Sequence, residues 1–96
     1  MKLQVLYSII LVLTAAHNIL DFGAIENDTT WFAENGNARA IENAIMAAHN
    51  KEKGDNTVVI PEGITISSMP IKAENVQGVE IIIDGILRVS KNYQAY

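Results

Sequence analysis

The clearest periodic pattern of hydrophobic and polar positions lies between residues 37 and 50. Apolar side chains recur there at intervals of three and four residues, at Ile41, Ala44, Ile45 and Ala48. This spacing predicts a helix with one apolar side. Asn37 is a residue type that often caps a helix N-terminus, so we expect the helix to begin there. Because the apolar stripe is narrow and its side chains are small, we expect the helix to lie flat against one surface.

Beyond Gly54 the pattern changes to short apolar runs separated by turns. We expect strands at 57–60, 64–66, 70–73, 79–84 and 86–90, and a further short strand at 18–22. Val59 and Ile81 lie centrally in two of these runs, and each run ends at a turn that contains glycine. Strands that recur at a spacing of roughly 20 residues suit a coiled parallel β-solenoid, in which each turn stacks on the previous one. A small antiparallel sheet is the structural alternative.

The N-terminal segment, 1–16, has the layout of a secretory signal peptide. Lys2 precedes an apolar run from Val5 to Leu13, and the small residues Thr14, Ala15 and Ala16 follow it. The run is shorter than the roughly 20 residues needed to span a bilayer. We therefore predict cleavage after Ala16, secretion and no membrane anchor. A buried N-terminal strand or helix is the alternative.

Composition and charge exclude several classes of function. The 96 residues are 49% hydrophobic and 19% charged, which indicates one small globular domain or a piece of a larger one. The net charge of −4 and the lack of a Lys/Arg cluster argue against a nucleic-acid partner. Without cysteine there is no disulfide and no thiolate metal ligand. His17 and His49 each have one carboxylate nearby, too few ligands for a metal site, and we expect both to be exposed.

Two short motifs need an interpretation. Asp21-Phe22-Gly23 is the tripeptide with which protein kinases hold magnesium, but the chain contains neither G-x-G-x-x-G nor H-R-D. The kinase interpretation is therefore rejected. Asn27-Asp28-Thr29 is an N-glycosylation sequon, so Asn27 is a candidate glycan acceptor in a eukaryotic secreted chain.

Five segments follow one another in a distinctive order. They are DFGA (21–24), the Asp/Asn/Thr-rich loop after it, NARAIENAIMAA (37–48), TVVIPEG (57–63) and NVQGVEIIIDGILRVS (75–90). In order and spacing they resemble the N-terminus of polygalacturonase-type enzymes, glycoside hydrolase family 28, in the pectin-lyase-like β-helix superfamily. The resemblance covers about residues 18–96.

The resemblance implies a mainly β fold, with an N-terminal cap helix and the first coils of a right-handed parallel β-helix. Residues 1–16 would be the signal peptide, residues 17–56 the first strand, loop and cap helix, and residues 57–96 the first, truncated coils. The implied activity is hydrolysis of α-1,4-galacturonan in pectin with inversion, without a cofactor or metal, by a protein that is monomeric when complete. Asp21-Phe22-Gly23 would then be scaffold.

The family's catalytic motifs are not found in this sequence. These motifs are paired aspartates, Gly-His-Gly and Arg-x-Lys, and all lie in later coils of such enzymes. We therefore assign no catalytic, cofactor-binding or metal-binding residue. Asp84 is expected to be a turn residue, and Asp28, Glu42 and Glu80 solvated surface. Trp31 and Tyr93 could stack on sugar rings, although Trp31 is more simply expected to anchor the loop before the helix.

Two other functions remain open at this point. One is a non-catalytic β-helix binding protein, such as an adhesin or tailspike-like protein, with the same cap. The other is a polysaccharide lyase of the same superfamily, which would use a calcium-binding aspartate cluster and a basic residue.

Overall fold

The computed structural model describes residues 16–50 and 56–90. The predicted signal peptide lies outside the described residues except for Ala16, and Glu52, Gly54 and Tyr93 also lie outside them. In chain order the elements are β1 (His17–Asn18), a 3-10 turn (Ile19–Phe22), α1 (Trp31–His49), β2 (Thr57–Ile60), β3 (Thr65–Ser68), β4 (Glu80–Ile83) and β5 (Ile86–Val89).

The strands form two small sheets, in the orders β1-β2-β4 and β3-β5, and every pairing is parallel. Val58 pairs with Ile81 in the first sheet, and Ile66 pairs with Leu87 in the second. The chain therefore runs from β2 into β3 and then repeats this path from β4 into β5, alongside the first passage. The predicted parallel pairing of successive runs is confirmed, and the antiparallel alternative is wrong.

The fold combines a helix with small parallel sheets, so the prediction of a mainly β fold is correct only for the strands. Helix α1 has 19 residues, about as many as the five strands together. The strand expected at 70–73 is irregular backbone, and most of 18–22 is the 3-10 turn. The side chain of Asn18 accepts from the N–H of Leu20, and Gly23 ends the turn at φ 96°. This left-handed conformation favours glycine, which accounts for the glycine of the kinase-like tripeptide.

Helix α1 begins well before the predicted position. Thr30 is its N-cap, and its hydroxyl accepts from the N–H of Ala33 at 3.2 Å. Asn37 is not a cap but lies fully buried inside the helix. The buried side of the helix continues about two turns beyond Ile41 toward the N-terminus, to Ala33. The polar residue Asn37 interrupts the apolar pattern between them, so the predicted start was too late.

The core lies between α1 and the first passage of the sheets. Its fully buried members are Ile19, Ile41, Ala44, Ile45, Ala48, Val58, Ile60 and Ile66. The helix contributes Ile41 and Ile45 to this core, as the stripe predicted. The principal contacts of α1 are with β3, the 3-10 turn, β1 and β2. The alanines between the isoleucines leave room for the helix to approach the strands closely.

The N-cap of α1 gives a first testable prediction. Thr30→Ala removes the acceptor for the Ala33 N–H and should lower the free energy of unfolding by about 1 kcal/mol. Thr29→Ala is the matched control, because Thr29 is an exposed threonine one residue before the cap. Denaturant unfolding followed by circular dichroism measures both. Equal losses from the two substitutions would contradict the assigned cap.

Candidate functional site

One edge of the second sheet is covered by α1 and the loop before it. Along β3 and the residue after it, three backbone groups face away from β5, and each has a partner. The carbonyl of Thr65 accepts from the N–H of Asn27 at 2.8 Å, and the N–H of Met69 donates to the carbonyl of Glu34 at 3.1 Å. Between them, the carbonyl of Ser67 accepts from the Asn37 side chain. The loop and helix thus take the place of a neighbouring strand.

Asn37 is the centre of this cover. Its Nδ2 donates to the carbonyls of Ser67 and Ile25, at 2.8 and 3.0 Å, and its Oδ1 accepts from the N–H of Ile25 at 2.7 Å. One buried amide therefore joins three parts of the fold: the helix, the loop before it and β3. An asparagine amide supplies both donors and an acceptor, which an aspartate or a leucine of similar size does not.

The opposite edge is uncovered in the part of the chain that the structure describes. Strands β4 and β5 are the last strands of their sheets. Five of their six large apolar side chains are between 38% and 53% exposed, at Ile81, Ile82, Ile83, Ile86 and Val89, whereas Leu87 packs against the core. An exposed apolar strand edge readily pairs with another strand. The outer edges of β4 and β5 together are called the open edge below. They form the most distinctive candidate interaction surface of the fold.

The backbone hydrogen bonds show which groups face outward at the open edge. The N–H groups of Glu80 and Asp84 donate to β2 and its flanking residue, and those of Ile86 and Ser90 donate to carbonyls at either end of β3. Successive N–H groups along a strand point to opposite sides. The amides of Ile81, Ile83, Leu87 and Val89 therefore point outward and are available to a further pair of parallel strands.

Asp84 lies in the turn between β4 and β5, as predicted, and is exposed. The turn is held by the N–H groups of Asp84 and Gly85, which both donate to the carbonyl of Ile60, at 2.9 and 3.1 Å. The backbone of Asp84 is therefore part of the turn itself. This geometry supports the assignment of Asp84 as a turn residue.

The prediction that both histidines are exposed is wrong. His17 is 6% exposed, with Nδ1 3.2 Å from the carbonyl of Thr57 and its ring tilted against Phe22. His49 is half-buried, and its Nδ1 accepts from the N–H of Gln77 at 3.3 Å. The His17 ring thus contacts the start of β2, and the His49 ring joins the end of α1 to the segment before β4. Among residues 16–50 and 56–90, no three His, Asp or Glu side chains are grouped to hold a metal ion.

The three carboxylates expected at the solvated surface are exposed or half-buried, and two of them also accept hydrogen bonds at the surface. Asp28 accepts from the N–H of Thr30 at 2.9 Å, and hydrogen bonds from the Thr30 backbone and side chain lower the pKa of Asp28. Glu42 Oε2 accepts from the N–H of Lys72 at 2.9 Å and ties α1 to the segment after β3. The bond between Glu42 and Lys72 joins residues that are far apart in the chain and belong to no recognisable motif. For this reason no sequence pattern predicts it.

The expectation that Trp31 anchors the loop before the helix is wrong. It is the first residue of α1 and is 70% exposed, and its neighbour Phe32 is 80% exposed. Together with Asn35, Gly36 and Arg39 they line a shallow cleft of about 380 Å³ on the outer side of the helix. The aromatic rings are accessible there, but the cleft brings no titratable pair together.

No helix among the described residues is both long enough and apolar enough to cross a membrane. A scan against models of known protein families finds no match to this chain, and searches of curated proteins and of solved structures find none either.

Proposed function

We propose that this chain forms the N-terminal cap and first coils of a secreted, polygalacturonase-like β-helix glycosidase. In this account β2 and β3 belong to the first coil, β4 and β5 to the second, and α1 closes the N-terminal end. Further coils stack on the open edge and carry the catalytic residues. The complete protein hydrolyses α-1,4-galacturonan in pectin with inversion and requires no cofactor.

The observation that supports the proposal most is the contrast between the two edges of the sheets. On one side Asn27, Asn37 and Glu34 supply partners for the backbone of β3 and the residue after it. On the other side the edge strands are apolar and exposed. A solenoid needs a cap at its end because stacked repeats leave apolar core and unpaired backbone there. A capped edge and an open edge are what the first coils of such a solenoid require.

The proposed reaction requires two carboxylic groups, which must come from coils other than these. Inversion at the anomeric carbon needs one carboxylic acid to protonate the leaving oxygen and a carboxylate to activate water on the opposite face. Their separation, about 6.5–9.5 Å, leaves room for that water. Strands β4 and β5 contribute the platform on which such a coil is positioned, and Asp84 and Glu80 take no catalytic role.

The test of the function is an assay on polygalacturonate with two proteins: the 96-residue chain and the complete product of its gene. We expect no release of reducing sugar by the 96-residue chain, because its sequence contains none of the family's catalytic motifs. We expect hydrolysis by the complete product, together with Asp-Asp, Gly-His-Gly and Arg-x-Lys motifs in the coils after Tyr96. Analysis of the first product by NMR should show inversion.

The same assay separates the two alternative functions. A product with an unsaturated sugar ring, formed by elimination, would assign a lyase. Binding of polysaccharide without cleavage by the complete product would assign a non-catalytic β-helix. Turnover by the shorter chain itself would contradict the proposal, because it would require an active site within these residues.

A further inference from the structure

Asn27 differs from every other asparagine in the sequence. Of the nine asparagines, it alone is followed by any residue other than proline and then by serine or threonine. This is the sequence requirement for attachment of an N-linked glycan in the secretory pathway. The motif is short, so its surroundings in the fold decide what can be built on it.

The structure presents Asn27 on the surface. The residue is exposed, and its Nδ2, the atom to which a glycan is joined, lies 3.4 Å from Glu26 Oε1 in an exposed contact. Thr29, the last residue of the motif, is exposed as well. The backbone of Asn27 is nevertheless fixed, because its N–H donates to the carbonyl of Thr65 at 2.8 Å. Its φ of 58° lies in the left-handed region, which asparagine tolerates better than most residues.

The position of Asn27 relative to the sheets is as informative as its exposure. The carbonyl of Thr65 points to the edge of β3 that is opposite β5. Asn27 therefore lies on the covered side of the fold, and the open edge lies on the other side. A bulky group on Asn27 would therefore be attached on the side of the fold away from the open edge.

We propose that Asn27 carries an N-linked glycan, placed on the covered side of the fold. This inference rests on the proposed export of the chain, here through a eukaryotic secretory pathway. The co-reactant is an oligosaccharide linked to a lipid diphosphate. Asn27 Nδ2 forms a bond to the anomeric carbon, the bond from that carbon to the diphosphate oxygen breaks, and the lipid diphosphate leaves as Nδ2 loses one proton.

The experiment is cell-free translation of the full chain in the presence of endoplasmic reticulum microsomes. The chain is made with its own N-terminus and, separately, behind a heterologous signal peptide. We expect one glycan-sized increase in mass with the heterologous signal, reversed by endoglycosidase. Asn27→Gln and Thr29→Ala should each abolish it, whereas Thr29→Ser should retain it. Asn43→Gln, at an exposed asparagine outside any sequon, should leave it unchanged.

A positive control makes a negative result decisive. Glu52→Thr turns Asn50 into a second acceptor of the same type. If the Glu52→Thr chain is glycosylated at Asn50 alone, the glycosylating enzyme of the microsomes is active but does not modify Asn27. This result would overturn the inference. Modification with the heterologous signal but not with the chain's own N-terminus would support the site at Asn27 and contradict the native export. The two proposals therefore fail separately.

Discussion

Gly85→Ala should be among the most damaging single substitutions in this chain, lowering the free energy of unfolding by about 2–4 kcal/mol. A Cβ atom at position 85 would lie 2.6 Å from the carbonyl oxygen of Ile64 and closer still to that of Pro61. Both are backbone atoms, so no side-chain rotation relieves the clash. The turns after β2 and β4 would have to separate, which breaks the bonds from Asp84 and Gly85 to Ile60.

Gly36→Ala is the matched control for this prediction. Gly36 lies within α1, and a Cβ there would meet no atom within 4 Å. Replacing it by alanine should therefore stabilise the protein by up to about 1 kcal/mol, through helix propensity. Denaturant unfolding followed by circular dichroism compares the two variants. A loss of stability at position 36 equal to that at position 85 would contradict the close approach of the two turns.

Asn37→Ala should cost about 2–4 kcal/mol, because the substitution leaves three backbone groups without the partners they now have. The carbonyl of Ser67 is the most severely affected, since its bond to Asn37 is buried. The two groups of Ile25 are only partly buried, so water can replace some of what they lose. Asn43→Ala, at an exposed position on the same helix, should change stability by under about 0.5 kcal/mol.

A second substitution at the same position tests the mechanism. Asn37→Asp keeps an acceptor for the N–H of Ile25 but sets a carboxylate against the carbonyls of Ile25 and Ser67. The charged form is disfavoured there, so the destabilisation should grow as the pH rises from about 4 to about 7. Asn37→Ala should lack this pH dependence relative to the unsubstituted chain. The same profile for both variants would contradict the burial of side chain 37 against these two carbonyls.

The parts of the fold that follow from local chemistry could be predicted from the sequence. The apolar runs identified β2, β4 and β5, and the stripe of Ile41 and Ile45 identified the buried side of α1. Parallel pairing followed from the spacing of the runs, because turns of this kind do not form two-residue hairpins. In each case the pattern is repeated over several residues, so tertiary contacts strengthen it and do not override it.

The parts that depend on distant contacts could not be predicted in this way. The sequence predicts Asn37 as a helix cap because asparagine is a preferred N-cap residue and precedes an apolar stripe. Its actual role requires β3, far along the chain, to lie beside it. His17 was expected at the surface, yet its pairing with β2 turns the ring inward against Phe22. The bond between Glu42 and Lys72 likewise exists only once the fold has formed.

The open edge is the feature on which this explanation of the protein depends. If further coils stack there, the amides of Ile81, Ile83, Leu87 and Val89 become bonded to the next pair of strands. Hydrogen exchange followed residue by residue tests this directly, in the complete gene product and in the 96-residue chain. We predict that these four amides are strongly protected in the complete product and exchange rapidly in the shorter chain, while the amides of Glu80 and Ile86 are slower in both. Rapid exchange of all four amides in the complete product would contradict the stacking of further coils on this edge.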